Sequence, residues 1–116
     1  MSLFVEFRSY NLRPCSGLAF HTLVSEKSLP LLRQWNVDVL AAGPSLHDQD
    51  SYFLIRVYDS LNQRQQSQAE FYGSADWRQG PREAIIALIE SDTSVVIELS
   101  EASVAALRAS FASGHL

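Results

Sequence analysis

Apolar and polar residues alternate along four segments of the chain, and this period of two is typical of strands with one buried face. The four segments are Leu3 to Leu12, Val37 to Pro44, Ser51 to Tyr58 and Ser94 to Leu99. The first is rich in aromatic residues and breaks at the turn sequence Arg13-Pro14-Cys15-Ser16-Gly17. The second and third are predicted to pair as an antiparallel hairpin across the polar loop Ser45 to Asp50.

Apolar residues at helical spacing predict the helices that separate and follow these strands. The first helix is predicted to form two pieces joined near Ser28, because Pro30 removes a helix hydrogen bond. Ser60 and Gln63 make a capping box that starts a second helix, which Gly73 is well placed to end. The last two helices carry Ile85, Ile86, Leu88 and Ile89, and then Val104, Leu107 and Phe111.

The resulting order is strand, helix, strand, strand, helix, strand, followed by a tail helix. This order predicts an α+β, ferredoxin-like fold, in which a four-stranded antiparallel sheet has its helices on one face. A length of 116 residues fits one domain. We therefore expect a single domain over residues 1–116, with its core in residues 3–99 and a C-terminal helix in residues 100–111.

Side chains alternate across a strand, so the parity of each position assigns it to one face of the sheet. One face is apolar and is expected to lie under the helices. It comprises Val5, Phe7, Phe53, Ile55, Val57, Val95, Ile97 and Leu99. The other face mixes aromatic, aliphatic and charged residues. It comprises Phe4, Glu6, Arg8, Tyr10, Tyr52, Leu54, Arg56, Tyr58, Val96 and Glu98.

This mixed face is too apolar for a wholly solvated surface and too charged for a dry core, and three interpretations are open. It is exposed to solvent, with weak cross-strand ion pairs. Alternatively, a partner's sheet covers it in a dimer and its charges neutralise one another, which is the favoured interpretation. Thirdly, and compatibly with the dimer, it borders a cavity in which arginines hold an anionic or carbonyl group. The predicted ion-pair network is Glu6, Arg8, Arg56 and Glu98.

Charge and composition exclude several classes of partner. Nine basic and thirteen acidic residues give a net charge of −4, and the basic residues are scattered, which argues against nucleic acid and anionic membranes. The longest apolar run, Ala84 to Ile89, is far shorter than a membrane span, and the first residues lack the pattern of a signal peptide. We therefore expect a cytoplasmic location.

Few residues offer obvious chemistry. Cys15 is expected to be an ordinary loop thiol, His21 to pack or face solvent, His47 to be a solvated loop residue, and His115 to lie in a fraying tail. Their spacing specifies no metal site, and no nucleotide-binding, serine-hydrolase or zinc-protease motif is present. The sequence therefore predicts no metal and no cofactor.

Two segments carry a family resemblance. The stretch Phe4-Val5-Glu6-Phe7-Arg8-Ser9-Tyr10-Asn11-Leu12-Arg13-Pro14 resembles the opening motif of the NIPSNAP family, in which a glutamate, an arginine and a tyrosine alternate before a basic-Pro turn. The stretch Arg56-Val57-Tyr58-Asp59-Ser60-Leu61-Asn62-Gln63-Arg64 is similar to that family's hydrophobic-Tyr-Asp-Ser-Leu segment. Trp77 and Gly43-Pro44 extend the resemblance over roughly residues 3 to 99.

The resemblance implies a dimeric α+β barrel, in which two ferredoxin-like sheets close into one barrel with the helices outside. The wider superfamily includes antibiotic-biosynthesis-type monooxygenases, haem degraders, isomerases and stress-responsive proteins, so the fold alone assigns no chemistry. This chain departs from the family pattern in its longer, more acidic loop Ser45 to Asp50. It also has Leu54 where many relatives carry histidine.

Two hypotheses of function follow. In the first, a homodimeric barrel binds a small carbonyl-bearing or aromatic molecule, with cofactor-independent monooxygenase or isomerase activity as one form of it. An arginine beside a phenol can orient a carboxylate or polarise a carbonyl. The candidate ligand-binding residues are Arg8, Tyr10, Arg56 and Tyr58. In the second, the protein is a non-catalytic interaction or sensing module, which the lack of a convincing histidine base favours. Enzymatic status stays open.

Overall fold

The computed structural model describes residues 1–112, which form one antiparallel sheet of four strands in the order β2-β3-β1-β4. The strands are β1 (Ser2–Leu12), β2 (Asp38–Pro44), β3 (Ser51–Tyr58) and β4 (Ile89–Ser100). The α-helices are α1 (Gly17–Leu23), α2 (Leu29–Gln34), α3 (Leu61–Gly73), α4 (Ala75–Arg78), α5 (Arg82–Ala87) and α6 (Glu101–Ala112), and a π-helical turn, Val24–Ser28, joins α1 to α2. The predicted α+β, ferredoxin-like fold is confirmed.

Local signals account for several element boundaries. The Ser60 Oγ accepts a hydrogen bond from the Gln63 N–H at 3.0 Å, and the Gln63 side chain accepts one from the Asp59 N–H at 2.9 Å. These bonds satisfy donors at the start of α3 that the helix itself leaves free, so α3 begins where the capping box predicts. The joint expected near Ser28 is the π-helical turn, and Pro30 lies in the first turn of α2, where no N–H is needed.

Strand β4 is longer than the sequence predicts, and the expected helix through Ile89 is wrong. The long β1 provides partners for the extra residues, with Leu12 opposite Ile89 and Asn11 opposite Ser91. The Asn11 Nδ2 also donates to the Ser91 Oγ at 3.0 Å. Ser91 and Asp92 look like a helix-ending turn in sequence, but they are polar side chains of an exposed edge strand.

Most of the helices lie on the face of the sheet opposite to the one expected. Helices α1 to α5 lie over the mixed face, where Tyr10, Tyr52 and Leu54 pack with core residues of the helices, including Phe20 and Phe71. The expectation that the apolar face lies under the helices is therefore wrong. So is the interpretation that a partner's sheet covers the mixed face, because the chain's own helices already do so.

The apolar face is covered by α6 alone among the described helices, and only in part. Val104 of α6 packs on Val5, Ile55 and Val57. Farther along the same face, in β4, the side chains of Val95 and Ile97 are 57% and 41% exposed. Large apolar residues on a strand of a small domain are thus left partly open to solvent.

No helix within residues 1–112 combines the length and the apolar character that crossing a membrane would require.

Candidate functional site

A buried ion pair lies at the centre of the mixed face. Glu6 on β1 and Arg56 on β3 stand directly opposite each other in the sheet, and their exposed fractions are 0% and 1%. The Arg56 Nε donates to the Glu6 Oε1 at 2.7 Å, and the Arg56 Nη2 makes a 2.6 Å ion-pair contact with the same oxygen that is not aligned as a hydrogen bond. Each charge offsets the desolvation cost of the other, so the pair is tolerated in the core.

Helix α3 completes this cluster with polar side chains. The Arg64 Nε and Nη2 donate to the Glu6 Oε2 at 3.0 and 2.5 Å, and the Gln68 Nε2 donates to the same oxygen at 3.0 Å. The Arg56 Nη1 donates to the Tyr72 hydroxyl at 2.8 Å. Gln68 also donates to the Tyr58 hydroxyl at 3.1 Å. Both oxygens of the buried Glu6 carboxylate therefore accept hydrogen bonds, from Arg56 on the sheet and from Arg64 and Gln68 on α3.

These contacts set the protonation states of the cluster. Burial by itself would raise the pKa of Glu6, but the Arg56 charge and the hydrogen bonds from Gln68, Arg64 and Arg56 outweigh it and hold the pKa below its usual value. Burial likewise works to lower the pKa of Arg56, yet the neighbouring oxygens of Tyr72, Tyr58 and Glu6 raise it overall. Glu6 is therefore a carboxylate and Arg56 a guanidinium at neutral pH.

Beside this cluster, a cleft of about 360 Å³ lies between β1, β4 and the helices. Its lining includes Arg8, Tyr10, Gln68, Tyr72, Arg82 and Asp92. The Arg8 Nη2 donates to the Asp92 Oδ1 at 2.9 Å and its Nη1 to the Ser94 Oγ at 3.1 Å, while its buried Nε has no hydrogen-bond partner among the described residues. Arg8 also lies over the Tyr10 ring, 5.5 Å from its centroid. With two arginines and one aspartate, this entrance carries a net positive charge.

A second, apolar cavity of about 40 Å³ adjoins the cleft and extends under the helices. It shares Tyr10, Tyr72, Trp77 and Ile85 with the cleft. Its other lining residues are Phe20, Val24, Ser28, Leu29, Leu32, Tyr52, Leu54 and Phe71. The two spaces therefore share part of their walls, with arginines around the cleft and mainly aromatic and aliphatic residues around the inner cavity.

The candidate ligand-binding residues predicted from sequence are divided between the cleft and the buried ion-pair cluster. Arg8 and Tyr10 line the cleft, and Arg56 and Tyr58 lie in the buried cluster, where Arg56 reaches the cleft only through the Tyr72 hydroxyl. Burial, and then the Tyr72 oxygen, raise the pKa of Tyr10, so this phenol is protonated at neutral pH.

Of the predicted ion-pair network, Glu6 and Arg56 are joined directly. Arg8 instead pairs with Asp92. Glu98 is exposed and accepts a hydrogen bond from the Ser2 Oγ, so within residues 1–112 neither joins the Glu6–Arg56 pair.

Arg64, Arg82 and Ser28 were not among the site residues predicted from the sequence. Arg64 could have been found, since the predicted start of α3 places it one turn before Gln68, on the same helix face. Arg82 lines the cleft because the short helix α5 packs against α1 and α4, and a sequence pattern carries no signal for that. Trp77 is 8% exposed and lines both cavities, whereas Trp35 is 37% exposed.

The histidines lie away from the cleft. The His21 Nδ1 is 2.7 Å from the Tyr52 hydroxyl, and burial raises the pKa of Tyr52 to about 12. His47 bonds Ser45 in the exposed loop, and His115 lies outside the described residues. Within residues 1–112, no three His, Cys, Asp or Glu side chains are grouped as a metal site would need.

The chain is similar in structure to NIPSNAP family proteins. A NIPSNAP family protein from Agrobacterium tumefaciens superimposes with a TM-score of 0.79 at 17% identity, over 89% of this chain and 90% of that one. An uncharacterised NIPSNAP-like domain protein from Burkholderia xenovorans gives a TM-score of 0.75 at 18% identity, over 82% of this chain and 83% of that one. The predicted NIPSNAP-like fold is confirmed.

A more distant neighbour belongs to another functional group. A candidate antibiotic biosynthesis monooxygenase from Bordetella bronchiseptica gives a TM-score of 0.62 at 17% identity, over 87% of this chain and 98% of that one. No protein-family profile and no curated protein matches the sequence. The likeness therefore establishes the fold, and the function must be argued from the site.

Proposed function

We propose that this NIPSNAP-like protein binds a small molecule with an anionic or carbonyl group and an apolar, aromatic body in the pocket between the sheet and the helices. The observation that carries the proposal is the contrast between the two ends of the pocket. Arg8 and Arg82 stand at the entrance, whereas Phe20, Phe71 and Trp77 line the interior. Such sites are mostly apolar with a few converging polar groups that orient the ligand.

The entrance has unused capacity for an anion. Arg82 is an exposed cation in the cleft lining, and Arg8 keeps one buried N–H without a partner among the described residues. A guanidinium binds a carboxylate through charge-assisted, often paired hydrogen bonds. The ligand's charged end would therefore lie at Arg8 and Arg82, with the Tyr10 hydroxyl as a further donor.

Binding, rather than turnover, is the function that the pocket supports best. The described lining of the cleft contains no histidine, its one carboxylate, Asp92, is paired with Arg8, and Tyr10 is protonated at neutral pH. The described residues that line the cleft therefore include no general base that is ready to accept a proton from the ligand. Cofactor-independent monooxygenase or isomerase chemistry is the second candidate, and the structural likeness to the Bordetella bronchiseptica protein supports only its monooxygenase form.

Replacing Arg8 with glutamine tests the proposal. We expect the affinity for phenylacetate, measured by isothermal titration calorimetry, to fall about 10-fold or more, since a hydrogen bond to a charged group is worth roughly 1.5–3 kcal/mol. The Arg8→Lys variant keeps the charge and should recover part of the loss. Arg108→Gln is the matched control, because Arg108 also pairs with an aspartate, Asp38, but far from the pocket. Equal weakening by Arg8→Gln and Arg108→Gln would contradict the assignment, as would wild type that binds no aromatic carboxylate.

We also propose that the protein is a homodimer, and that the apolar face of the sheet is the interface. The partly exposed Val95 and Ile97 are apolar side chains that a second copy would cover, and the NIPSNAP resemblance implies a dimeric barrel. In this arrangement helices α1 to α5 and the pocket lie on the outer side of each sheet, so each chain keeps its own entrance.

A further inference from the structure

The hydroxyl of Ser28 is a buried polar group that the proposed binding of an anion does not use. Ser28 is 7% exposed, and its Oγ has no hydrogen-bond partner among the described residues. The residue lines the inner, apolar cavity and is not among the residues that line the cleft with Arg8 and Arg82. Buried hydroxyl groups are nearly always hydrogen-bonded, so this one calls for a partner.

Ser28 is the last residue of the π-helical turn, and the helix does not provide that partner. A serine in an α-helix commonly shares the carbonyl oxygen four residues earlier, which for Ser28 belongs to Val24. Here the Val24 oxygen accepts the N–H of Leu29 in the wider hydrogen-bond spacing of the π turn, and the Ser28 hydroxyl makes no hydrogen bond to it. The hydroxyl of Ser28 is therefore left without a partner in the cavity wall.

Two tyrosine hydroxyl groups in the wall of this cavity are already engaged. The Tyr52 hydroxyl is 2.7 Å from His21, and the Tyr72 hydroxyl accepts from Arg56 at 2.8 Å. The cavity of about 40 Å³ exceeds the roughly 10–15 Å³ that one water needs, so a single hydroxyl or carbonyl group fits beside Ser28.

We propose that Ser28 is a specificity-determining residue that hydrogen-bonds a hydroxyl or carbonyl group at the end of the ligand opposite its anion. This inference rests on the proposed function and narrows its ligand class to hydroxy- or oxo-substituted aromatic carboxylic acids. The carboxylate lies at Arg8 and Arg82, the ring lies against Trp77 and Ile85, and the distal oxygen meets Ser28.

The test compares two probes that differ in one hydroxyl, 4-hydroxyphenylacetate and phenylacetate, by isothermal titration calorimetry. We expect wild type to bind the hydroxylated probe about 10-fold more tightly, because a site built to bond a hydroxyl discriminates against the analogue without it. In Ser28→Ala this preference disappears. The control is Ser67→Ala, which removes a half-buried serine of α3 that lines a different cavity and should leave the ratio of the two affinities unchanged.

The free proteins provide a second readout. In the free protein the buried Ser28 hydroxyl has no hydrogen-bond partner among the described residues, and this lowers the stability of the fold. Ser28→Ala should therefore keep or raise the melting temperature. A fall of several degrees would show a structural role and overturn the inference. It is also overturned if wild type binds both probes equally or if Ser28→Ala retains the preference, results that leave the anion-binding pocket standing. If wild type binds neither probe, the proposed function fails and this inference fails with it.

Discussion

The Glu6→Gln variant is expected to lose about 3–5 kcal/mol of unfolding free energy, a large part of the stability of a domain of this size. Glutamine keeps the shape of the side chain but removes the charge that compensates Arg56, which is 1% exposed. It also replaces one of the two accepting oxygens with an NH2 donor, so either Arg56 or the pair Arg64 and Gln68 loses its acceptor. A buried cation without its partner is the most costly defect that a single substitution can introduce into this core.

Urea denaturation followed by circular dichroism measures this loss. The matched control is Asp38→Asn, which neutralises one partner of the Asp38–Arg108 pair, where both side chains are more than 40% exposed. Exposed pairs contribute about 0–1 kcal/mol, so the control should stay close to wild type. A loss in Glu6→Gln no larger than in Asp38→Asn would contradict the structural role assigned to the cluster.

The same variant has a signature in the pH dependence of stability. Because the pKa of Glu6 in the folded protein is lowered from 4.5, the stabilisation by its carboxylate is present above that value and is lost as the pH falls through the folded pKa. We expect wild type to lose stability below about pH 4.5. Glu6→Gln should lose less over the same range, since it has no carboxylate there to protonate. Parallel curves for the two proteins would contradict the lowered pKa.

The second large effect is expected from Ile97→Asp, which should convert the proposed dimer to monomer. The Ile97 side chain is 41% exposed on the apolar face, and a second copy would bury it. A carboxylate there would have to be desolvated without a partner, so we expect the dissociation constant to rise roughly 100-fold, equivalent to nearly 3 kcal/mol.

Sedimentation velocity at several protein concentrations distinguishes the two states. The control is Leu46→Asp, which adds the same charge at a fully exposed apolar residue in the loop between β2 and β3. It should remain dimeric. A monomeric wild type would contradict the dimer, and a dimeric Ile97→Asp would contradict the choice of face.

Local and periodic signals in the sequence predicted much of this fold. The alternation in β1 and β3 places Glu6 and Arg56 on the same face, and the structure sets them directly opposite each other. The capping box at Ser60 and Gln63 predicts the start of α3. These features depend on neighbouring residues, so one sequence is enough to infer them.

The face of the sheet on which the helices pack could not be inferred in the same way. An apolar strand face normally lies inside, and this rule places the helices on the face of Val5 and Ile55. In the structure only α6 lies on that face among the described helices, and α1 to α5 lie on the face of Glu6 and Arg56. The matching polar face of α3 is the physical reason. The sequence places Gln68 and Tyr72 on the helix that the capping box starts, but it does not show which residues of the sheet they contact.

The candidate site was predictable in part for a similar reason. Arg8 and Tyr10 follow from strand parity, and both line the cleft. Arg82 and Ser28 depend on the docking of a short helix and on a π-helical turn. Both are tertiary arrangements that hydrophobic periodicity does not encode.

The pocket between the sheet and the helices can be tested most directly through Trp77, which lines both cavities. The chain has two tryptophans, so Trp35→Phe leaves Trp77 as its only indole fluorophore. On titration with 4-hydroxyphenylacetate, this variant should show a saturable change in emission, and combining it with Arg8→Gln should shift the midpoint at least 10-fold higher. Unchanged Trp77 emission at concentrations where calorimetry detects binding would place the ligand elsewhere and contradict the account.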